Sequence, residues 1–183
     1  MKNYFIPFLL LALFCPSGCG GKKKPADLPH LFPVILTVIQ DDKPLEGATV
    51  NLVADGVDVR FTTGAITGKD GVATIKTDAY WPGAPAGKYR VIISKIVAPP
   101  PDTSDSPPPT DSSEASLKYY EEQQAKAAER NAQTKSLVNS KFLKFGTTPL
   151  SVVVTEAGLT ETLDVGAAVD ELMDKVLGGS SSR

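Results

Sequence analysis

The histidine and cysteine content limits the chemistry available to this chain. The sequence of 183 residues holds a single histidine, His30, and two cysteines, Cys15 and Cys19. Nucleophilic catalysis of the Ser-His-acid or Cys-His type needs a base beside the nucleophile, and His30 lies in a segment that predicts a solvent-exposed linker. Zinc sites usually recruit several His or Cys ligands. We therefore predict no catalytic residue, no metal site and no cofactor.

Two pairs of neighbouring aspartates are the remaining candidates for acid and base chemistry. Asp41 and Asp42 lie in one predicted turn, and Asp55 and Asp58 lie in another. Aspartate is favoured in turns because its side chain bonds nearby backbone amides, so a structural role outweighs a carboxylate-dependent hydrolase. The second pair also offers oxygen ligands to calcium, but calcium requires about 6 to 8 of them and no EF-hand spacing is present. The hydrolase and the calcium site stay minor alternatives.

Three aromatic residues form the candidate binding surface. Tyr80 and Trp81 open the loop 80–87, and Tyr89 follows it at the start of a strand. A loop tryptophan beside a tyrosine can stack on a sugar ring or anchor a protein partner. Trp81 is the only tryptophan, however, and its burial would contribute about 2 to 3 kcal/mol, which favours a side chain packed on the fold. Carbohydrate or protein binding through this loop is therefore the second functional hypothesis.

The N-terminus is similar to a bacterial lipoprotein signal. Lys2 precedes an apolar run over residues 4–14, and small residues precede Cys19, although Pro16 stands where an aliphatic residue is expected. The run is shorter than the roughly 20 residues that span a bilayer, so a cleaved signal peptide over residues 1–18 is predicted. Cys19 would then carry the lipid, palmitate included, and hold the protein to a membrane facing the periplasm or the exterior. An ordinary secretory signal with two incidental cysteines is the alternative.

Composition argues against nucleic acid as a partner and favours an all-β fold. The net charge is -2, with acidic and basic residues mixed along the chain, so no electrostatic footprint for nucleic acid appears. Fifteen prolines and fifteen glycines indicate many turns, while 42% apolar residues are enough for a core. The one lysine cluster, at residues 22–24, lies in a predicted flexible tether over residues 19–33.

Alternating apolar residues predict an antiparallel β-sandwich. Strand patterns run over residues 34–39, 49–54, 57–61, 72–77 and 89–93. They follow one another closely without helical patterns between them, which favours antiparallel sheets over a parallel sheet with crossover helices. The strand 89–93 is apolar on nearly two sides, so we predict that it is central. Two later strands, 150–155 and 159–165, are predicted to pair as a closing hairpin.

A proline-rich and helical insertion interrupts the strand pattern, and a short helix is predicted after the last strand. Residues 98–112 hold two proline triplets with polar spacers, which favour a solvated polyproline II segment. The composition then changes to Ala, Glu, Gln and Lys, which predicts an exposed helix from Ser113 to near Val138. Docking of the proline triplets on a partner and an interaction role for the helix stay open. Apolar spacing over residues 167–177 predicts a short amphipathic helix that caps the sheet.

Three segments carry recognisable motifs: Lys-Pro-Leu-Glu-Gly-Ala-Thr-Val at residues 43–50, Thr-Gly-Lys-Asp-Gly-Val-Ala at 67–73, and Gly-Ala-Pro-Ala-Gly-Lys-Tyr at 83–89. They resemble the opening, a turn and the lead into a central strand of carboxypeptidase regulatory-like, or transthyretin-like, β-sandwich domains. The resemblance is closest to small lipoproteins common in planctomycete-type bacteria. Transthyretin-like hydrolases use several pocket histidines, which this chain lacks, so the resemblance does not bring their activity with it.

Pattern and resemblance together predict the organisation of the chain. An immunoglobulin-like or transthyretin-like sandwich is expected over residues 34–97 and 141–166, interrupted by a proline-rich and helical insertion over 98–140 and followed by a C-terminal helix and tail over 167–183. The leading functional hypothesis is a non-enzymatic, lipid-anchored cell-envelope protein whose sandwich is a structural or binding module. An envelope protein or a glycan is the expected partner.

Overall fold

Short strands joined by tight turns make up most of the computed structural model, which describes residues 23–55, 60–100 and 114–173. In chain order the elements are β1 (Leu31–Phe32), β2 (Val34–Gln40), β3 (Lys43–Pro44), β4 (Thr49–Ala54), β5 (Thr63–Ile66), β6 (Val72–Thr74), β7 (Lys76–Thr77), β8 (Trp81–Pro82), β9 (Ala84–Pro85), β10 (Gly87–Ser94), β11 (Ile96–Val97), α1 (Glu114–Ala132), β12 (Lys135–Ser136), a 3₁₀-helix (Ser140–Phe142), β13 (Ser151–Val154), β14 (Leu159–Asp164) and β15 (Glu171–Leu172). The described part is thus mainly antiparallel β-structure with one α-helix, consistent with an all-β sandwich. No helix in it is long and apolar enough to cross a bilayer.

Among the described residues, six strands form the main sheet, in the order β13-β10-β4-β5-β7-β8. Strand β10 lies between β13 and β4, which confirms the prediction that it is central. Its Tyr89, Val91 and Ile93 are buried, whereas Arg90 and Ile92 on the other face are partly exposed. The second sheet is built on β2, which pairs with β14 on one side and with β3 and β6 on the other.

One apolar core lies between the two sheets. Alternate residues of each strand face it, as the period of two in the sequence predicts. The second sheet contributes Val34, Leu36, Val38 and Leu163, and the main sheet contributes Val50, Leu52, Val91, Ile93, Val152 and Val154. All ten side chains are buried, so apolar packing holds the two layers together.

At Ile75 the chain passes from one sheet to the other, where the sequence predicted an unbroken strand over residues 72–77. Strand β6 pairs with β2, but β7 pairs with β5. The Ile75 amide donates to the Val34 carbonyl at 3.0 Å, and the Ile75 carbonyl accepts from the Gly83 amide at 2.8 Å. Ile75 itself is fully buried. The change of sheet therefore closes this side of the sandwich without breaking the alternation of buried residues.

The predicted closing hairpin of residues 150–165 is wrong. Strand β13 pairs with β10 in the main sheet, whereas β14 crosses to the second sheet and runs parallel to β2. A single bridge, between Thr155 and Gly158, joins the two strands. The Leu159 amide then donates to the Pro33 carbonyl at 2.9 Å, which starts the parallel ladder. An alternating pattern marks a strand but does not specify its partner.

Two predicted helices differ from the structure. Helix α1 ends at Ala132, not near Val138, because Lys135–Ser136 form β12 and Val138 is buried in the core. Strand β12 pairs with both β11 and β15. The helix over residues 167–177 is wrong for its first part, since Glu171–Leu172 form β15; residues beyond 173 lie outside the described part. The predicted exposure of α1 agrees with the exposed Leu117 and Tyr120.

Several other predictions fall on residues that the structure does not describe. They are the signal segment with Cys19, most of the strand predicted over residues 57–61, and the second proline triplet. Phe61, at the end of that predicted strand, lies in a bend just before β5.

Candidate binding cleft

A cleft of about 370 Å³ opens at the end of the main sheet where β4 ends and β10 begins. Its lining is mostly apolar and includes Pro29, Leu52, Ala54, Phe61, Pro85 and Tyr89. Small-ligand sites commonly have volumes of about 300 to 1,000 Å³ and apolar walls with a few polar groups. The cleft is therefore large enough for a small molecule or for the side chain of a bound peptide.

The floor of the cleft is the last part of the core-facing surface of the main sheet. Tyr89 of β10 is paired with Ala54 of β4, and Leu52 of β4 is paired with Thr63 of β5. Leu52 lies two residues after the core residue Val50, and Tyr89 lies two residues before the core residue Val91, so both face the core side of the sheet. The cleft is thus an opening in the apolar layer between the sheets.

Asp27 and Pro29 also line the cleft. They belong to the segment of residues 27–32, which we call the N-terminal strap. Leu31–Phe32 pairs with Ala84–Pro85, and Leu28 is buried. The ring of His30 lies 4.6 Å from that of Phe32, centroid to centroid. Part of the tether predicted over residues 19–33 is therefore held against the sandwich at Leu28 and β1, while His30 is exposed, as predicted.

Gly83 allows the strap to approach the loop 80–87. It has a φ of 98°, and a Cβ at this position would overlap the carbonyl group of Phe32. The buried hydroxyl of Thr77 donates to the Gly83 carbonyl at 2.8 Å and fixes this turn from the other side. Only glycine combines the positive φ with the close approach, so this residue determines where the strap lies.

Tyr89 contributes its ring to the cleft, not to an open surface. The side chain is buried, and its hydroxyl donates to the Pro85 carbonyl at 2.9 Å. Burial raises the pKa of the Tyr89 phenol above its usual 10.0 because the phenolate would lose hydration. The hydrogen bond ties the start of β10 to the loop that precedes it.

An ion pair connects the strap to a residue on another part of the cleft lining. The Arg60 guanidinium lies 3.8 Å from the Asp27 carboxylate, and both side chains are more than half exposed. Exposed pairs of this kind contribute about 0 to 1 kcal/mol, so strand pairing and the burial of Leu28 hold the strap more firmly than this charge contact. The pair still places both signs of charge at the cleft.

Tyr80 and Trp81, at the start of the loop 80–87, lie outside the cleft lining. Trp81 is partly buried in β8 at the edge of the main sheet, where it pairs with Thr77, and Tyr80 beside it is 55% exposed. Their rings are 5.9 Å apart and inclined by 60°, so they do not form one flat platform. Of the three predicted binding residues, Tyr89 lines the cleft and the other two do not.

The first predicted acidic pair occupies a turn, as expected. Asp41 and Asp42 both have positive φ in the turn between β2 and β3, and the Asp41 carboxylate accepts from the Ala168 amide at 3.0 Å. Asp55 follows β4, and Asp58 lies outside the described residues. Within the part of the chain described, no three His, Cys, Asp or Glu residues are arranged to hold a metal ion.

Sequence reasoning missed the strap and the cleft. One sequence feature could have indicated the cleft. The alternation of apolar residues that marks the core continues through Leu52, Ala54 and Tyr89, beyond the residues that the second sheet covers.

Comparison with known proteins adds no further assignment: no protein family, curated protein or solved structure matches this chain.

Proposed function

We propose that this protein is a lipid-anchored, non-enzymatic binding protein of the cell envelope, with an immunoglobulin-like or transthyretin-like sandwich as its binding module. The observation that carries this proposal is the cleft between the N-terminal strap and the main sheet. Its occupant is a small molecule or a peptide side chain with an apolar body.

The lining favours burial of apolar surface as the source of affinity. Leu52, Ala54, Phe61 and Pro85 offer carbon surface, and the hydroxyl of Tyr89 already has the Pro85 carbonyl as its acceptor. Apolar surface removed from water contributes about 25 cal/mol per Å². A ligand of this class gains most of its binding energy from the floor and orients its polar end toward the exposed mouth.

The position of the strap connects the cleft to the proposed anchor. Asp27 follows Cys19 by eight residues, a span of at most about 29 Å when fully extended. With lipid on Cys19, the cleft would stay within that distance of the membrane surface. The site would therefore sample ligands that are present near the envelope membrane.

Metabolic labelling with a palmitate analogue tests the anchor. We expect label on the wild-type protein and on Cys15→Ser, and none on Cys19→Ser. Label that persists on Cys19→Ser would refute the lipidation proposal.

Titration with the apolar dye 8-anilinonaphthalene-1-sulfonate tests the cleft. Ala86 is exposed and lines the cleft, so Ala86→Trp is expected to fill it without disturbing the core. Ala125→Trp, at an exposed position of helix α1 outside the cleft lining, is the matched control. We expect saturable binding with one dye per chain in the wild type and the control, and at least about tenfold weaker binding in Ala86→Trp, equivalent to 1.4 kcal/mol. Equal binding by all three proteins would contradict the proposed site.

The exposed ring of Tyr80 favours a second candidate function, glycan binding at the edge of the main sheet. A sedimentation assay with insoluble peptidoglycan separates the two. Glycan binding at this edge predicts retention that Tyr80→Ala abolishes and Ala86→Trp leaves intact, whereas retention that Tyr80→Ala does not change would remove this candidate.

A further inference from the structure

Strand β13 ends the main sheet and leaves one side of its backbone open. The Val91 amide donates to the Leu150 carbonyl at 3.0 Å, and Tyr89 is paired with Val152. In an antiparallel ladder, residues with backbone groups directed at the partner alternate with residues whose groups point away. The backbone groups of Ser151 and Val153 therefore point away from β10.

These outward groups have no partner in the described part of the chain. Neither the Ser151 nor the Val153 amide makes a backbone hydrogen bond there, and β13 pairs with no strand other than β10. Val153 is also 55% exposed, while its neighbours Val152 and Val154 are buried. The edge thus offers both donors and acceptors beside an exposed apolar side chain.

The edge of the second sheet is protected in a way that β13 is not. Strand β14 carries Glu161 on the same face as Leu159 and Leu163, and Asp164 follows at its end. Charged residues on an edge strand, above all inward-pointing ones, oppose the addition of another strand. The sequence Ser-Val-Val-Val of β13 has no such charge, which distinguishes an edge available for pairing from one that resists it.

We propose that β13 binds an extended acidic segment of a partner protein, which adds to the main sheet as a further strand. The partner's charge follows from the cross-strand neighbours. Lys88 lies opposite Val153 and Arg90 lies opposite Ser151, so both cations share the exposed face of this edge. Lys88 makes no ion pair within the described residues, and the Arg90 guanidinium donates to a neutral acceptor, the Thr148 carbonyl, at 2.9 Å.

A second copy of this chain fits the edge less well than an acidic segment. Pairing β13 with β13 of another copy would bring the same two cations to both sides of the new ladder and supply no carboxylate between them. Strand addition gains affinity from main-chain hydrogen bonds and specificity from alternate side chains. Acidic residues at alternate positions of the incoming strand would lie on the face that carries Lys88 and Arg90.

Fluorescence anisotropy of a labelled Val-Glu-Val-Glu-Val peptide, added to the full-length protein in detergent, tests this proposal. The Val153 amide points outward, so Val153→Pro removes a donor for the added strand without removing a bond to β10. Thr162→Pro is the matched control. The Leu159 amide donates to the Pro33 carbonyl and the Val165 amide donates to the Ile39 carbonyl. Because the direction of the amides alternates along β14, the Thr162 amide points away from β2. We expect Val153→Pro to weaken peptide binding at least about tenfold, roughly the loss of one or two hydrogen bonds, and Thr162→Pro to leave it unchanged.

Charge supplies a second variant that does not depend on how the edge tolerates proline. We expect Lys88→Glu to weaken binding of the acidic peptide. We also expect the affinity of the wild-type protein for this peptide to fall as the salt concentration is raised. A peptide with Lys in place of Glu is expected to bind worse than the acidic one. Equal affinity for both peptides, or equal losses in Val153→Pro and Thr162→Pro, would overturn the proposal. A dimer in sedimentation that Val153→Pro dissociates would identify a second copy as the occupant instead.

Discussion

The two halves of the loop 80–87 have different surroundings, although both contain residues suited to binding. The first half places Trp81 in an edge strand and leaves Tyr80 exposed beside it. The second half, beginning with Ala84–Pro85, pairs with the strap and borders a concave apolar cleft. Aromatic composition alone therefore does not locate the site, because the cleft depends on how closely one backbone segment approaches another.

Gly83 separates the two halves of the loop, and its substitution should lower the free energy of unfolding more than the other substitutions below. Gly83→Ala places a Cβ where it overlaps the Phe32 carbonyl, and it forces an alanine to adopt a positive φ. We expect a loss of about 3 kcal/mol or more in the free energy of unfolding, measured by urea denaturation. Gly146→Ala is the control, since a Cβ there has no neighbour within 4 Å. Similar stability of the two variants would mean that the strap does not depend on this close approach.

Substitution of Thr77 should have the second-largest effect on stability, because its buried hydroxyl supports the same turn from the interior. Thr77→Val keeps the shape of the side chain but leaves the Gly83 carbonyl without its buried donor. The expected destabilisation is about 1 to 3 kcal/mol. Thr74→Val, at an exposed position of β6, is expected to change stability by less than about 0.5 kcal/mol. Parallel urea curves at neutral pH measure the difference, and a neutral Thr77→Val would contradict this role.

Tyr89 should have a smaller effect at neutral pH and a distinct effect in alkali. Tyr89→Phe removes the hydrogen bond to Pro85 and is expected to cost about 1 kcal/mol. Because the folded-state pKa is raised above 10.0, the stability linked to the neutral phenol is fully present below pH 10 and is lost as pH rises through the folded-state pKa. The wild-type protein should therefore lose more stability above pH 10 than Tyr89→Phe does. Urea midpoints across this pH range give the comparison, and identical slopes would contradict it.

Substitution of Tyr80 should have the smallest effect on stability, since its side chain is exposed and lies outside the cleft. We expect Tyr80→Ala to change the free energy of unfolding by less than about 0.5 kcal/mol and to leave dye binding unchanged. Thermal denaturation and the dye titration are the measurements. A large loss of dye affinity would show that the two halves of the loop act as one site.

Local patterns predicted the strands whose side chains alternate between core and solvent. Strands β2, β4 and β10 follow this rule, and β10 is central as its two apolar faces indicated. The errors concern partners. Leu159 pairs with Val34 of β2 across more than a hundred residues, and no local feature distinguishes this arrangement from a hairpin.

The same limit applies to the cleft. Tyr89 was predicted to contribute to binding because of its residue type, but its role depends on a strap that precedes it by more than fifty residues. Residues 27–32 were predicted as part of a flexible tether, while the burial of Leu28 and the pairing of Phe32 arise only from the tertiary fold. Residue type identified candidates, and long-range pairing decided between them.

The central claim is that the binding site is the cleft and not the surface at Tyr80 and Trp81. Its most direct test is an amide chemical-shift map recorded while the dye is added. The cleft predicts that the largest shifts occur at Ala54, Ala86 and Tyr89, with Tyr80 and Trp81 nearly unchanged. Shifts confined to Tyr80 and Trp81, with none at the cleft, would contradict it.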